Sequence, residues 1–141
     1  MTAPVRRARP DDLPRLRAIQ TVVLAEPWPE LLSVAVDGPP VCLVHADPEP
    51  TGYALAVADD DAGYLAELAV AEGHRGEGQG SALLAALVAE LRERGISRLR
   101  VTVREVDDRA LSFYREHGFV DRDRLPDHYE DCDGLLLARD L

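Results

Sequence analysis

The amino-acid sequence predicts a single α/β domain. Apolar segments with the two-residue alternation of β-strands are interspersed with segments that have the spacing of amphipathic helices. One apolar strand, Tyr64 to Ala71, runs directly into a glycine-rich turn, and the turn runs into the longest helix. A chain of 141 residues is long enough to bury one core. We therefore expect one domain over residues 1–141.

The first half of the chain predicts two helices and four strands. A short strand, Val5 to Arg9, precedes Pro10, and a helix then runs to about Ala25. We expect the buried face of this helix to consist of Leu13, Leu16, Ile19, Val22 and Val23. Pro29 suits the first turn of a second helix, which ends near Val36. Three strands follow, over residues 41–46, 52–58 and 64–71, and the last is the central strand.

The second half predicts two more helices within the rest of the sheet. The long helix runs from about Gly78 to Arg94 and ends before Gly95. Its apolar stripe consists of Leu83, Leu84, Leu87, Val88 and Leu91. After a strand over 98–103, Asp107 or Asp108 caps a helix that Gly118 terminates. A strand from Phe119, an irregular or hairpin segment over 125–134 and a strand over 135–139 complete the domain.

The charge of the chain argues against a nucleic-acid partner. The net charge is −10, whereas a nucleic-acid interface needs a basic face. All sixteen basic residues are arginine. An acidic, lysine-free composition indicates a GC-rich or a salt-adapted source, and the sequence leaves both open. High ionic strength would screen the repulsion between this surface and an anionic ligand.

The cysteines and the hydropathy pattern indicate a cytoplasmic protein. Cys42 and Cys132 are far apart and have no metal-binding spacing, so we expect two free thiols and no metal. No apolar run is long enough to cross a membrane. The segment from Met1 to Arg9 lacks the apolar core of a signal peptide.

The glycine-rich turn predicts a phosphate site. Gly76, Gly78 and Gly80 alternate, so side chains leave the backbone N–H groups uncovered at the start of the long helix. Such N–H groups, at the positive end of a helix dipole, bind phosphate.

Two blocks of sequence then resemble one known family. Arg75 to Gly80 reads R-x-x-G-x-G and follows the strand residues Glu67-Leu68-Ala69-Val70. About thirty residues later, the run from Ala110 to Phe119 reads A-x-x-x-Y-x-x-x-G-F. Together these blocks resemble the GNAT superfamily of acyl-CoA-dependent N-acetyltransferases, and the resemblance covers roughly the whole chain in order and length.

The resemblance implies a fold and a co-substrate site. The implied fold is a GNAT-like α/β domain with a mixed, mostly antiparallel sheet of six to seven strands, splayed at the central strand, and about four helices. In the family, the loop amides bind the pyrophosphate of acetyl-CoA and the strand pairs with its pantetheine arm. The implied co-substrate-binding residues are Leu68, Ala69, Val70, Arg75, Gly76, Glu77, Gly78, Gln79, Gly80, Ser81, Asp107 and Ala110. Family members usually carry Asn at the position of Asp107, and an aspartate cannot donate an amide hydrogen bond to pantetheine.

Two residues are candidates for the chemistry. Amide formation from a thioester needs a neutral amine, donors for the oxyanion and a proton for the leaving thiolate. Tyr114 resembles the family tyrosine that protonates the thiolate, and a phenol near pKa 10 stays protonated at neutral pH. Glu67, in an otherwise apolar strand, is the candidate base, either directly or through a water molecule. Neither cysteine has a nucleophile setting, so we expect direct transfer without a covalent enzyme intermediate.

The acceptor is predicted only as a primary amine. On the resemblance, Trp28, Tyr64 and Tyr129 are candidates for the acceptor wall, and Trp28 is alternatively a packed core or hinge residue. Deprotonating an amine at pH 7 costs about 4.6 kcal/mol for a lysine side chain and about 1 kcal/mol for an α-amine. Relatives that acetylate a ribosomal-protein alanine carry a base twelve residues before the tyrosine, where this chain has Thr102. A protein N-terminus and a small-molecule amine therefore both stay open.

Two other classes of protein share some of these sequence features. Gly76-Glu77-Gly78 resembles the first half of a dinucleotide-binding motif, but Ser81 stands where the third glycine belongs, and the loop falls mid-chain. A catalytically silent domain that binds acyl-CoA or a protein partner is the alternative that Asp107 keeps open. The sequence also leaves a homodimer open.

Overall fold

The computed structural model describes residues 4–141. Residues 1–3, which belong to the predicted domain and to the segment predicted to lack a signal peptide, lie outside the described part. The described strands are β1 Val5–Arg7, β2 Val41–Ala46, β3 Pro50–Asp59, β4 Ala62–Val70, β5 Arg98–Arg104, β6 Val120–Leu125 and β7 Gly134–Asp140. The described α-helices are α1 Leu13–Val23, α2 Pro29–Ala35, α3 Gln79–Glu93 and α4 Asp108–Glu116. The predicted element order and the four helices are confirmed, with ends shifted by up to about two residues.

The seven strands form one mixed sheet in the order β1-β2-β3-β4-β5-β7-β6. All neighbouring pairs are antiparallel except β4 and β5, which are parallel. These two central strands pair only over Ala62–Tyr64 and Arg98–Arg100 and then diverge. The splayed, mostly antiparallel sheet is therefore confirmed, and β4 has a free edge beyond Tyr64 within the described residues.

A β-bulge sets the direction of the side chains in β4. Leu55 pairs with Glu67 and Ala56 pairs with Leu65, so Ala66 is the extra residue. A bulge bends and twists its strand and re-aims the side chains that follow. Because of this bulge, Leu65 and Leu68 both pack on the α3 side of the sheet, whereas Ala66 lies on the α1 side.

The sheet is covered on both faces. On one face, α3 and α4 pack over a core that includes the predicted stripe of α3, and all five stripe residues are buried. On the other face, α1 and α2 cover a second cluster that contains Leu16, Ile19, Tyr53 and Leu55. The alternation of Tyr53 and Leu55 against Ala54 and Ala56 in β3 divides that strand between the two cores.

The predicted buried face of α1 is partly wrong. Leu16 and Ile19 are buried, but Val22 is 67% exposed. Gln20 is buried in its place, at 2% exposure, because its amide donates hydrogen bonds to Glu67. A polar side chain can enter the core when its donors are satisfied there.

A partly buried ion pair joins β1 to the start of α1. The Asp12 carboxylate accepts two hydrogen bonds from the Arg6 guanidinium, at 2.8 and 3.0 Å, and one from the Arg9 backbone N–H at 2.7 Å. These contacts, the Arg6 hydrogen bonds first, lower the pKa of Asp12.

Among residues 4–141, no helix is both long and apolar enough to span a membrane.

Candidate active site

A cleft of about 610 Å³ opens beside the free edge of β4, on the face that carries α3 and α4. The glycine loop, β4, α4 and the end of α1 all contribute to its walls. Its lining consists of Val23, Leu24, Leu68, Val70, His74, Arg75, Gly76, Gly78, Gln79, Gly80, Ser81, Asp107, Arg109, Ala110, Phe113 and Tyr114. The structure thus brings together most of the residues predicted to bind the co-substrate.

Two predicted residues do not line this cleft. Ala69 is 2% exposed and packs with the α1-side core, so its side chain faces away from the cleft. The Glu77 side chain also lies outside the lining: its carboxylate is 3.2 Å from His74 Nδ1 and accepts a 3.3 Å hydrogen bond from Gln79. The Ala69 side chain is therefore not available to a ligand in this cleft.

The glycine loop presents unpaired backbone donors. Gly76 and Gly78 have φ values of +80° and +81°, a left-handed conformation that costs other residues about 1–2 kcal/mol. The first hydrogen bond of α3 runs from the Ala82 N–H to the Gly78 carbonyl. The N–H groups of Gly78, Gln79, Gly80 and Ser81 therefore precede the intrahelical ladder and point out of its N-terminus. This is the geometry that binds an anion.

A second set of contacts holds the loop in place. The Gln79 side chain is 7% exposed and accepts a 2.8 Å hydrogen bond from the Thr51 hydroxyl on β3. The Ser81 hydroxyl lies 2.8 Å from His117 Nε2, and His117 Nδ1 lies 2.7 Å from the Phe113 carbonyl. These contacts join the start of α3 to β3 and α4, so the loop is supported from both sides.

Gly80 has a packing role in addition to its place in the loop. A Cβ atom at this position would lie 3.3 Å from the Phe113 ring. By contrast, a Cβ at Gly76 or Gly78 would meet nothing within 4 Å. Gly80 therefore permits the close approach of α3 and α4, whereas Gly76 and Gly78 serve the turn itself.

Asp107 is the cap of α4, as predicted. Its Oδ1 atom accepts a 3.1 Å hydrogen bond from the Ala110 N–H, and the residue lines the cleft. The carboxylate thus stabilises the helix start while it places negative charge beside the ligand site.

Tyr114 projects from α4 into the cleft. Its side chain is 8% exposed, and its ring makes edge-on contacts with Phe113 and Phe119 at 5.3 Å between ring centroids. Burial, then the charge of Asp107 and the neighbouring Tyr64, raise the pKa of Tyr114 above its ordinary value. The phenol is therefore protonated throughout the neutral range.

Glu67 is the centre of a buried hydrogen-bond network on the α1 side of β4. It is 4% exposed. Its Oε1 accepts from Gln20 at 2.9 Å and from the Tyr53 hydroxyl at 2.8 Å, and its Oε2 accepts from the Trp28 N–H at 2.6 Å. Burial and the Glu67 charge raise the pKa of Tyr53, which fixes that phenol as a donor. The carboxylate therefore has its acceptor sites occupied by donors from α1, β3 and the α1–α2 segment.

The predicted acceptor residues gather on the face of the splay opposite α4. Tyr64 lies where β4 and β5 separate. The Tyr129 hydroxyl donates a 3.4 Å hydrogen bond to the Thr102 carbonyl of β5, and burial raises the pKa of Tyr129 to about 12, with Tyr64 also contributing. Trp28 is not a packed core residue, because it is 51% exposed. Its backbone N–H, not its indole, donates a hydrogen bond to Glu67.

Sequence reasoning missed the partners of these residues. The sequence pattern places Gln20 and Leu24 only within the first helix, Tyr53 only within a strand and Val23 only on the buried face of that helix. A polar residue within an apolar helix face, as Gln20 is, was the signal that a buried polar partner exists. In the described residues, no group of three or more His, Cys, Asp or Glu side chains could hold a metal ion.

A strand with a free edge, joined by an anion-binding loop to a helix and facing a buried tyrosine, defines an acyltransferase site. The profile of the Acetyltransferase (GNAT) family matches residues 7–119, and the chain belongs to this family. No curated protein matches the chain.

Solved structures share the whole fold. Ard1 from Thermoplasma volcanium is 26% identical, with a TM-score of 0.89 over 97% of this chain and 96% of that one. The ribosomal-protein-alanine N-acetyltransferase from Brucella melitensis is 26% identical, with a TM-score of 0.79 over 97% and 99%. The PaiA N-acetyltransferase from Thermoplasma acidophilum, solved with coenzyme A, is 17% identical, with a TM-score of 0.82 over the full length of both chains.

Proposed function

We propose that the protein transfers an acetyl group from acetyl-CoA directly to a primary amine of low pKa, such as the α-amine of an amino acid or of a protein N-terminus. The observation that carries the proposal is the juxtaposition of the free β4 edge, the unpaired N–H groups at the start of α3 and Tyr114 in one cleft. The relative from Brucella melitensis, a ribosomal-protein-alanine N-acetyltransferase, supports the choice of an α-amine.

The cleft fits the chemistry of acetyl-CoA. Its pyrophosphate needs several converging donors, and the loop from Gly76 to Ser81 offers backbone N–H groups there, with Arg75 and Arg109 in the lining. Its pantetheine amides need strand-like partners, and β4 beyond Tyr64 has no strand on that side within the described residues. The Glu77 carboxylate is held by contacts with the side chains of His74 and Gln79.

Tyr114 acts on the leaving thiolate. Because its pKa is raised, it is a weaker acid than free tyrosine and the thiolate is a weaker base than its phenolate. Tyr114 therefore stabilises the departing sulfur as a hydrogen-bond donor, and the net proton comes from the amine nitrogen as the new C–N bond forms and the C–S bond breaks. This refines the general-acid role predicted for it.

Glu67 serves in this proposal as an anchor for the acceptor wall. The sequence prediction of a base, direct or through water, stays a prediction, and the occupied acceptor sites of its carboxylate argue for a structural role. Thr102 offers no base at neutral pH either. An acceptor that loses its proton at a cost of about 1 kcal/mol, as an α-amine does, suits such a site.

The first experiment is calorimetry with acetyl-CoA, at low salt and at about molar KCl. Micromolar binding that Gly78→Val abolishes supports the loop as the pyrophosphate site. Binding seen only in high salt indicates that the acidic surface matches a saline environment. Release of CoA is then measured with two kinds of acceptor: amino acid amides, which offer an α-amine, and peptides whose only primary amine is an unmodified lysine side chain. Faster release with the α-amines supports the proposal.

Two results would contradict it. Failure to bind acetyl-CoA in either salt condition removes the enzyme proposal. Binding of acetyl-CoA without release of CoA in the presence of any amine favours the catalytically silent alternative. The Asp107 carboxylate in the cleft is the observation that supports this alternative.

A further inference from the structure

Arg104 connects two segments that are far apart in the chain. It is the last residue of β5, and its guanidinium lies 3.1 Å from a Glu26 oxygen and 2.5 Å from an Asp131 oxygen. Glu26 belongs to the segment between α1 and α2, and Asp131 belongs to the segment between β6 and β7. The same guanidinium lies 5.4 Å from the centroid of the Tyr129 ring. One side chain thus bridges the α1–α2 segment and the β6–β7 segment.

This bridge lies on the side of the sheet from which an amine must approach. The cleft occupies the α4 face of the splay, so a ligand bound there covers that face. Along β5, Leu99, Val101 and Val103 are buried, whereas the alternate residues Thr102 and Arg104 face the opposite side. The gap between β4 and β5 connects the two faces. A nucleophile therefore reaches the thioester from the side on which Arg104 closes the two segments together.

We propose that Arg104 is a specificity-determining residue whose ion pairs close the acceptor mouth to extended chains and so select a compact amine, such as a free amino acid, over a peptide. The proposal rests on the proposed function for the identity of the reaction. An extended peptide has to leave the site between the α1–α2 and β6–β7 segments, and the Glu26–Arg104–Asp131 bridge crosses that exit. We expect a compact acceptor to reach the site without breaking the bridge.

The bridge is built from exposed partners, so it can open. Glu26 and Asp131 side chains are 56% and 65% exposed, and Arg104 is 21% exposed. Exposed ion pairs are screened by salt. Molar KCl should therefore loosen the bridge in the native protein and have no further effect once Arg104 is removed.

Hydrogen exchange tests the bridge without reference to any substrate. The comparison uses Arg104→Ala, Glu26→Gln and the matched control Arg124→Ala. Arg124 also pairs with two carboxylates near the same hairpin, Glu105 and Asp133, and forms no ion pair with residues 24–28. We expect the amides of residues 24–28 to exchange about 2- to 5-fold faster in Arg104→Ala and Glu26→Gln, as loss of one exposed ion pair allows, and at the native rate in Arg124→Ala. Unchanged exchange in Arg104→Ala would overturn the proposal.

Kinetics test the selection itself. The probes are alanine amide and a hexapeptide with N-terminal alanine. We expect Arg104→Ala to raise kcat/KM for the hexapeptide by at least about fivefold and to leave alanine amide within about twofold, a difference within the reach of two exposed ion pairs. An equal change for both probes would refute size selection. If no variant acetylates either probe, the proposed function fails on that acceptor class, while the exchange data still decide whether the bridge exists.

Discussion

Replacing Tyr53 and Glu67 separates an anchoring role of the carboxylate from a catalytic one. Tyr53 is fully buried and donates to Glu67 Oε1, so Tyr53→Phe removes one hydrogen bond and leaves the carboxylate and the cleft in place. A hydrogen bond to a charged group contributes about 1.5–3 kcal/mol. We expect Tyr53→Phe to lower the free energy of unfolding by that amount.

Glu67→Gln should resemble Tyr53→Phe if the carboxylate is an anchor. The amide oxygen can still accept from the Trp28 backbone N–H and from Gln20, which lies 3.2 Å from Oε2. The rotatable Tyr53 hydroxyl can accept from the new amide nitrogen. We therefore expect a loss of about 1.5–3 kcal/mol in stability, a higher KM for the acceptor, and a fall in kcat below about tenfold. Loss of a general base would instead lower kcat by about 10²–10⁴-fold.

The assay combines urea unfolding with CoA release measured between pH 6 and 9.5. If Glu67 is an anchor, both variants keep the rise of the CoA-release rate with pH, because that rise then reports the pKa of the amine. The anchoring role is refuted if two results occur together. In Glu67→Gln, kcat falls more than a hundredfold and the rate no longer rises with pH, while Tyr53→Phe keeps the native stability and rate.

Three further predictions concern the cleft and the N-terminal ion pair. Tyr114→Phe should lower kcat by about 10–100-fold with little change in the Kd of acetyl-CoA by calorimetry; an unchanged kcat would remove its role at the thiolate. Asp107→Asn should keep the α4 cap, remove a negative charge and add an amide donor, so acetyl-CoA should bind several-fold more tightly, and weaker binding would contradict this account. Asp12→Asn should lower the free energy of unfolding at pH 7 by about 1–3 kcal/mol, measured with urea. Because the folded pKa of Asp12 is lowered, this contribution is present above the ordinary Asp pKa of about 3.9 and is lost as the pH falls through the folded value, so wild type and variant should converge in acid; a constant difference down to pH 2 would contradict it.

Local pattern carried much of the fold but not the contacts between distant segments. The stripe of α3 and the glycine loop were readable because helix spacing and φ-permissive residues are local properties. The burial of Gln20 was not, because it depends on Glu67, forty-seven residues away. The bulge at Ala66 was also missed, since a run of alternating residues does not show where one extra residue enters.

The site shows the same division. Tyr114 and the loop residues share one cleft because two local motifs carry them, and their roles stay predictions. The bridge from Arg104 to Glu26 and Asp131 joins three segments whose proximity follows only from the strand order. Arginine and carboxylates are abundant in this chain, so no sequence pattern singled these three out.

The short parallel seam between β4 and β5 leaves room for a ligand at the free edge of β4 to stabilise the fold. Only three residues on each strand join the two halves of the sheet there. A ligand whose amides lie along the free β4 edge supplies hydrogen bonds that a longer strand would otherwise make. At a concentration of one hundred times its Kd, such a ligand adds about 2.7 kcal/mol to the stability of the fold. Removing such a ligand from that concentration raises the unfolded fraction about a hundredfold.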